Sequence, residues 1–294
     1  ESVDFSAGGF DAQYGDRMSS GLDIRYKRPE KLESRMNISL LGASAYIGWG
    51  DSVQSQMHGI RYKTSKYMLG ALDTKGNYKP NFLDYQTQMT WKVGKKATGR
   101  LGDEAWEIRL MGNFSQNSYE FMPDSAVKNW GGLDAIEQKI EHEGKEKDMF
   151  RTAFVALSAS GKVHPEVTIS ADLNGFYTHE QETYDIRTAY VLRQKDMNEA
   201  NNSGGGYDAN GELATPDGNK KLLGKGEYHE HARNTLQSGI ITLAHNGEWN
   251  RGTNTLKWGV SGQVEMITDR ISEWEWRDSL GYSLPNADKE MELY

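Results

Sequence analysis

Two histidines stand at a spacing that could build part of a metal site. His229 and His231 flank Glu230, so both imidazoles would project from the same face of a β-strand. Two imidazoles on one face supply about half of the ligands that a zinc ion takes. No third ligand is evident near them, and the chain has no HExxH motif. We therefore expect these histidines at a solvated loop end rather than at a metal.

Other patterns with chemical potential are incomplete. Asp208-Ala209-Asn210-Gly211 begins like a calcium loop but lacks the remaining ligands of an EF-hand. The glycines at 204–206 follow no strand–helix unit that would cradle a phosphate, and there is no GxSxG motif. The chain has no cysteine, which excludes thiolate metal sites, disulfides and cysteine nucleophiles. We expect no enzyme activity, no metal and no cofactor.

The composition narrows the class of protein further. A net charge of −8 argues against a basic nucleic-acid surface. Mean hydropathy is −0.76, and no apolar run approaches the ~18 residues of a membrane-spanning helix. A membrane β-barrel stays open, because its strands alternate and are polar on average. The 32 glycines and 11% aromatic residues suit strands, tight turns and interfacial girdles.

Apolar and polar residues alternate with period two through most of the chain after residue 30. At 106–116, for example, Trp106, Ile108 and Leu110 alternate with Glu107 and Arg109. This pattern is typical of strands with one apolar and one polar face. We predict about nine such strands, at 33–41, 43–50, 56–69, 83–93, 106–116, 151–160, 166–183, 233–250 and 255–274.

The connections between the later strands alternate between long and short. Residues 117–150 and 184–232 are long connections, whereas 161–165 and 251–254 are short. Outer-membrane barrels have short periplasmic turns and long extracellular loops, and a tight turn at Gly42 gives the early strands the same sidedness. Leu133, Ile136 and Ile140 follow helical spacing, so the sequence also allows a short amphipathic helix within 117–150.

Four tryptophans flank the short turns of this arrangement. Trp91 ends one predicted strand and Trp106 begins the next, and Trp249 and Trp258 flank 251–254 in the same way. Aromatic rings at that depth are typical of a membrane girdle. The alternative is that tryptophan is simply common in β-proteins.

The first thirty residues have a different character. Gly8-Gly9 and Tyr14-Gly15-Asp16-Arg17 are turn formers, and 19–27 alternates as a strand does. The stretch GGFDAQYGDRMSSGLDIRYK at 8–27 resembles the end of the plug domain of TonB-dependent outer-membrane receptors, in the variety common in Bacteroides-like bacteria. ALDTKGNYKPNFLDYQT at 71–87 is similar to their second extracellular loop and following strand, and 112–123, 231–234 and 272–285 extend the resemblance.

The resemblance implies a domain organisation. Residues 1–30 would close a plug domain, and 31–294 would form the N-terminal part of an outer-membrane β-barrel with long extracellular loops at 117–150 and 184–232. The expected fold class is all-β, an antiparallel transmembrane barrel with the end of the plug inside. The chain would hold about nine of some 22 strands. It is expected to be a piece of a longer protein, with a TonB-contact segment and most of the plug before residue 1.

The function implied by the resemblance is TonB-dependent active uptake of a nutrient across the outer membrane: a siderophore, glycan, peptide or cofactor. The expected partners are outer-membrane lipid, TonB through a segment outside this chain, a small or oligomeric ligand at the extracellular loops, and a surface lipoprotein. No nucleic-acid partner is expected. The alternatives are a passive porin or adhesion barrel without a plug, and a soluble β-sheet protein that binds carbohydrate.

Period two also assigns candidate site residues once one face is given to lipid. The charged face must then turn inward, because a lipid-facing Arg or Lys near the midplane costs about 2–4 kcal/mol. The residues expected to line the lumen or meet ligand are Arg61, Lys63, Arg109, Asp172, Asn174, Gln263 and Glu265. Those expected to face lipid are Ile108, Leu110, Val155, Leu157, Ile169, Leu173, Ile241, Leu243, Val260 and Val264. The resemblance adds Arg17, Ser19, Ser20 and Asp23 as contacts between plug and barrel wall.

Overall fold

A computed structural model describes residues 2–7, 20–65, 76–94, 106–130, 136–194, 222–279 and 282–293. Throughout these ranges the regular structure is β-strand, and all of the strand pairings are antiparallel. The described ranges contain no helix that is long and apolar enough to cross a membrane. The expectation of an all-β, antiparallel chain is confirmed.

The strands form two separate sheets. The smaller sheet pairs β1 (Ser2–Ala7) with β2 (Ser20–Arg25). The larger sheet holds twelve strands: β3 (Glu33–Ser39), β4 (Gly42–Gly50), β5 (Gln54–Thr64), β6 (Gly76–Tyr78), β7 (Asn81–Val93), β8 (Trp106–Pro123), β9 (Ala126–Trp130), β10 (Ile136–His164), β11 (Val167–Gln194), β12 (Leu222–Arg251), β13 (Asn254–Ser279) and β14 (Tyr282–Leu293).

Neighbouring strands of the large sheet follow chain order almost without exception. The order across the sheet is β14-β13-β12-β11-β10-β8-β7-β5-β4-β3, with β6 paired to β8 and β9 paired to β10. Antiparallel strands that follow one another in the chain can be joined by short reversals. The sheet is therefore a meander. In the described residues the sheet is open, with β3 and β14 at its two edges.

Each of the nine predicted strands corresponds to a strand of the large sheet, but several are far longer than predicted. β10, β11 and β12 have 29, 28 and 30 residues. The extra length comes from 117–150 and 184–232, which were expected to be loops. Their described parts continue the ladders, from Glu146 opposite Phe121 to Glu137 opposite Arg193. The count of about nine strands was therefore too low, since β6, β9 and β14 also belong to the sheet.

The helix allowed by the sequence within 117–150 is wrong for the residues that the structure describes. Ile136 and Ile140 lie in β10, where they face Gln194 and Tyr190 of β11; Leu133 lies outside the described residues. A spacing of four fits one face of a helix and also one face of a strand. Here the strand wins because Glu137 and Lys139 alternate with the isoleucines, and β11 supplies a ladder partner for every residue from 136 to 162.

Three short reversals of the large sheet lie at one end, which we call the turn end. They comprise 51–53, 165–166 and 252–253. The chain enters β3 at this same end, because Glu33 pairs with Gly48 near the end of β4. The predicted turn at Gly42 lies at the opposite end and is confirmed. Gly42 has φ 137°, and a side chain there would collide with the carbonyl oxygen of Tyr62.

The large sheet is a single layer with almost no interior. Ala232 is the one apolar residue that is fully buried among the described side chains. Large apolar side chains are instead exposed, with Val260 at 69%, Leu243 at 62% and Val264 at 61%. Since a sheet normally buries one face against another layer, an exposed apolar face of this extent indicates that something outside the described residues covers it.

Candidate functional site

The register of the large sheet separates its side chains into two faces. Residues directly opposite one another on neighbouring strands project to the same face. Arg109 lies opposite Ser158, which lies opposite Asp172, so Arg109 and Asp172 share a face that we call the polar face. Leu110, Leu157 and Leu173 are linked in the same way on the other side, the apolar face.

All seven residues predicted to line the lumen fall on the polar face, and all ten predicted to face lipid fall on the apolar face. Asn174 lies opposite Thr242, and Thr242 lies opposite Gln263. Glu265 and Lys63 join the polar face by period two from Gln263 and Arg61. The seven do not form one pocket, because Arg61 lies on β5 and Gln263 on β13, with five strands between them in the sheet.

Within the polar face these residues make local contacts. Arg61 donates through Nε to Asp84 Oδ2 at 2.7 Å, and Asp84 is only 6% exposed. Asp172 accepts hydrogen bonds from Ser170 and Asn246. Arg61 and Asp172 therefore have polar partners within the sheet.

The segment between β2 and β3 runs across the polar face. Arg28 donates from both terminal nitrogens to the two carboxylate oxygens of Glu107 on β8, each at 2.6 Å. The carbonyl oxygen of Pro29 lies close to Gly50, where a side chain would not fit. Tyr26 lines a cavity of about 300 Å³ together with Met57 and Phe154, among other residues. The N-terminal segment and the polar face are therefore in direct contact.

The residues predicted to join plug and barrel are not those that make this contact. Arg17 and Ser19 lie outside the described residues. Ser20 and Asp23 belong to β2, and Asp23 accepts a hydrogen bond from Arg25 on its own strand. Among the described residues, neither Ser20 nor Asp23 makes a hydrogen bond or an ion pair to the large sheet. Sequence reasoning missed Arg28, whose only signal was a cation directly before Pro29 and the first long alternation.

The apolar face is apolar over a limited height. On β11 it carries Val167, Ile169, Ala171, Leu173, Gly175 and Tyr177 before it reaches His179. Ala153, Tyr177, Gly239 and Met266 lie opposite one another as the last apolar row across four strands. The next row consists of Arg151, His179, Gln237 and Thr268. The apolar band therefore ends at the same register on β10, β11, β12 and β13.

The tryptophans mark the other boundary of this band. Trp249 faces Leu256 and Val167, and Trp258 faces Gly247, all at the turn end of the apolar face. Trp91 and Trp106 share that face and that end, opposite Ile108 and Val93. From Val167 to Tyr177 the band is about 33 Å long along the strand at 3.3 Å per residue. If the strand had the tilt of about 45° that is usual for membrane barrels, the band would be about 23 Å high along the barrel axis.

Polar residues within the band have partners. His58 on β5 projects from the apolar face, where its Nδ1 lies 2.9 Å from the hydroxyl oxygen of Tyr85 and 3.0 Å from that of Thr87. Its ring also packs against Trp49, with 5.3 Å between the ring centroids. Such satisfied contacts reduce the cost of a polar ring in apolar surroundings.

Beyond the band, the polar face is strongly acidic. On β10 to β13 it carries Glu146, Asp148, Glu180, Glu182, Glu230, Asp269, Glu273 and Glu275. Carboxylate oxygens of Glu146, Asp148 and Glu182 come within 4.8 Å of one another. Partial burial, together with the charge of Asp148, raises the pKa of Glu146, and burial and the charge of Glu182 raise the pKa of Asp148. Three carboxylates in this geometry can accept a cation or share protons.

The acidic part of the polar face also contains tyrosines. Burial and neighbouring carboxylates, Glu273 first among them, raise the pKa of Tyr184. Burial and a hydrogen bond to Glu230 raise the pKa of Tyr228 to about 12. Both phenols therefore stay protonated at neutral pH, and the hydroxyl of Tyr228 donates a hydrogen bond to Glu230.

The histidine pair lies elsewhere than the sequence suggested. His229 and His231 are inside β12 and half-buried, rather than at a loop end, because β12 begins as early as Leu222. A third polar group is present after all: Asp185 lies 2.6 Å from His229 Nε2 and 3.4 Å from His231 Nδ1. The hydrogen bond from His229 lowers the pKa of Asp185. The hydrogen bond between His229 and Asp185 links β12 to β11, and both imidazoles lie beside the ring of Trp274.

Asp208-Ala209-Asn210-Gly211, which resembles the start of a calcium loop, lies outside the described residues. Comparison with known proteins gave no match, neither to a family model nor to a curated protein or a solved structure.

Proposed function

We propose that the large sheet is part of the wall of an outer-membrane β-barrel that takes part in TonB-dependent uptake of a nutrient. The apolar face would lie against lipid, and the polar face would line the interior and the path of the ligand. The segment before β3 would belong to a plug that rests on this interior wall. The transported nutrient would be a siderophore, glycan, peptide or cofactor.

The observation that carries the proposal is the bounded apolar band. A soluble protein has no reason to expose Leu243, Val260 and Val264 in one continuous face that ends at a common row. Lipid is the surrounding that makes such a face stable, and the height of about 23 Å fits the apolar band of outer-membrane barrels, about 25 Å tall. Tryptophans at the turn end fit an interfacial girdle.

The sidedness of the sheet supports the same proposal. Three short reversals, at 51–53, 165–166 and 252–253, lie at the turn end, and the long strands of β10 to β13 extend past the band at the other end. Outer-membrane barrels show this asymmetry, with short turns on the periplasmic side. The strand extensions would then stand outside the cell, as strand hairpins in place of the expected loops.

A plugged transporter is favoured over a passive porin by the contacts of residues 26–30. Arg28 binds Glu107, and Tyr26 shares a cavity with Met57 and Phe154, all on the polar face. A segment that precedes the first wall strand and occupies the inner wall is what a plug domain requires. An empty porin lumen would leave Glu107 with the hydrogen bond from Arg109 at 2.8 Å and without the two hydrogen bonds from Arg28.

Cysteine labelling tests the proposal, because the chain has no native cysteine. Single cysteines at Arg109, Asp172 and Glu265 should react with a small polar maleimide in lipid vesicles. Cysteines at the neighbouring positions Leu110, Leu173 and Val264 should be shielded, and should become reactive only when the protein is unfolded in urea. Equal reactivity on both faces in vesicles would identify a soluble sheet, such as the carbohydrate-binding alternative.

Deletion of the plug segment separates transporter from porin. The full-length protein should keep vesicles impermeable to small sugars, whereas removal of everything before residue 31 should make them leaky. A full-length protein that is already leaky would support the porin alternative.

A further inference from the structure

Beyond the apolar band the same face becomes polar and carries several basic side chains, together with Glu120 and Asp185. We define the basic belt as Lys79, Lys145, Lys147, Arg151 and Arg233. We propose that this belt binds the anionic phosphate headgroups of the lipid leaflet that surrounds the band. The inference rests on the proposed function, because it needs the apolar band to lie in lipid.

The geometry places the belt at headgroup level. On β10, Ala153 is the last apolar position of the apolar face, and Arg151 is the next residue on that same face. It therefore lies about 5 Å above the band if the strand is tilted by about 45°. Lys147 lies about 14 Å above the band on the same criteria. Long basic side chains reach back toward an interface of this kind, which brings both cations within range of phosphate.

Three cations of the belt have carboxylate partners, namely Glu120 for Lys79 and Lys145 and Asp185 for Arg233 at 3.4 Å. Arg151 and Lys147 make no ion pair with the described residues. Arg151 donates through Nε to the amide oxygen of Gln116 at 3.0 Å, which is an uncharged partner. Lys147 is exposed. The nearest acid on that face, Glu120, is already shared by Lys79 and Lys145 at 3.3 Å each.

The opposite face of the same strands has the opposite sign. Glu146 and Asp148 alternate with Lys145 and Lys147 on β10, so acids point to the polar face and bases to the other. In a chain with a net charge of −8, this segregation is not a consequence of composition. A basic ring directly next to a membrane surface is the arrangement that attracts anionic headgroups.

A vesicle experiment tests this on the full-length protein. Wild type and the double variant Arg151→Gln/Lys147→Gln would be reconstituted in phosphatidylcholine alone, and in equal parts of phosphatidylcholine and phosphatidylglycerol. The control variant is Lys139→Gln/Lys225→Gln, which removes two cations from the same face about 26 Å farther along the strands. Thermal unfolding is measured by gel electrophoresis, as the temperature at which the heat-modifiable migration of the folded protein is lost.

We expect the anionic lipid to raise the melting temperature of the wild type and of the control by at least ~3 °C, and that of the double variant by less than half as much. Added salt should remove the difference, and inorganic phosphate in neutral vesicles should not reproduce it. An equal gain for the double variant, or a gain with phosphate alone, would overturn the headgroup site. Failure of the wild type to insert in neutral vesicles would instead refute the proposed membrane location.

Discussion

Arg28 and Glu107 form a two-pronged ion pair between the segment before β3 and strand β8, with both N–O distances at 2.6 Å. We expect a double-mutant cycle with Arg28→Ala and Glu107→Gln to give a coupling of about 1 kcal/mol, since both side chains are partly exposed. The measurement is urea unfolding in vesicles together with the rate of proteolysis of the N-terminal segment. Asp23→Asn is the control, because its described partner, Arg25, is on the same strand. A coupling near zero would remove this pair as the tie between segment and wall.

A charge on the apolar face should be far more costly than the same charge one residue away. Leu173→Arg places a guanidinium in the middle of the apolar band, and we expect it to destabilise the vesicle-bound protein by about 2–4 kcal/mol. Asn174→Arg, on the polar face, should cost less than about 1 kcal/mol. Equal costs, measured by unfolding in vesicles, would contradict the assignment of the apolar face to lipid.

Gly42 should not tolerate a side chain. Its φ is 137°, and the carbonyl oxygen of Tyr62 occupies the space that the methyl group of an alanine would need. We expect Gly42→Ala to lower stability by about 1–3 kcal/mol. Gly59→Ala is the matched control, since no other atom lies within 4 Å of the place that its methyl group would take. If both variants unfold at the same urea concentration, the turn at Gly42 is not as constrained as its geometry indicates.

Because of the carboxylates of Glu146 and Asp148, the protein should be more stable in mild acid than at neutral pH. Their pKa values are raised above the ordinary 4.5 and 3.8. Folding therefore favours the protonated forms, and this contribution is present at low pH and is lost as the pH rises through the raised pKa values. We expect the melting temperature to rise as the pH is lowered from neutral to about pH 5. Asp148→Asn should raise stability at neutral pH and flatten this dependence, whereas an unchanged slope would count against the cluster.

The alternation of side chains made most of the fold predictable. Ile108 follows Glu107, and Leu173 follows Asp172, so apolar and charged residues alternate. This alternation predicts a strand, and it also predicts the face of each residue once one face is taken as apolar. Strand length was not predictable in the same way. From 178 to 185 both faces of β11 are mostly polar, so the contrast that marks a strand fades there although the ladder continues to Gln194.

Contacts between distant segments could not be predicted from the sequence. Asp185 meets His229 only because β11 and β12 pair in one register over a long hairpin. Arg28 meets Glu107 across 79 positions of chain, and nothing in the local pattern of either residue indicates the other. The contacts of Ser20 and Asp23 with the barrel wall, carried over from the resemblance, stay a prediction.

The single-layer character of the large sheet has a consequence for how the chain can fold. With Ala232 as its one fully buried apolar residue among those described, the sheet gains almost nothing from hydrophobic collapse in water. If the apolar face lies in lipid, as proposed, the driving force comes from transfer of the apolar band out of water, so strand pairing and membrane insertion occur together. Outside a membrane the sheet would expose its apolar face and the edges that β3 and β14 form among the described residues, and both favour association with another copy of the chain.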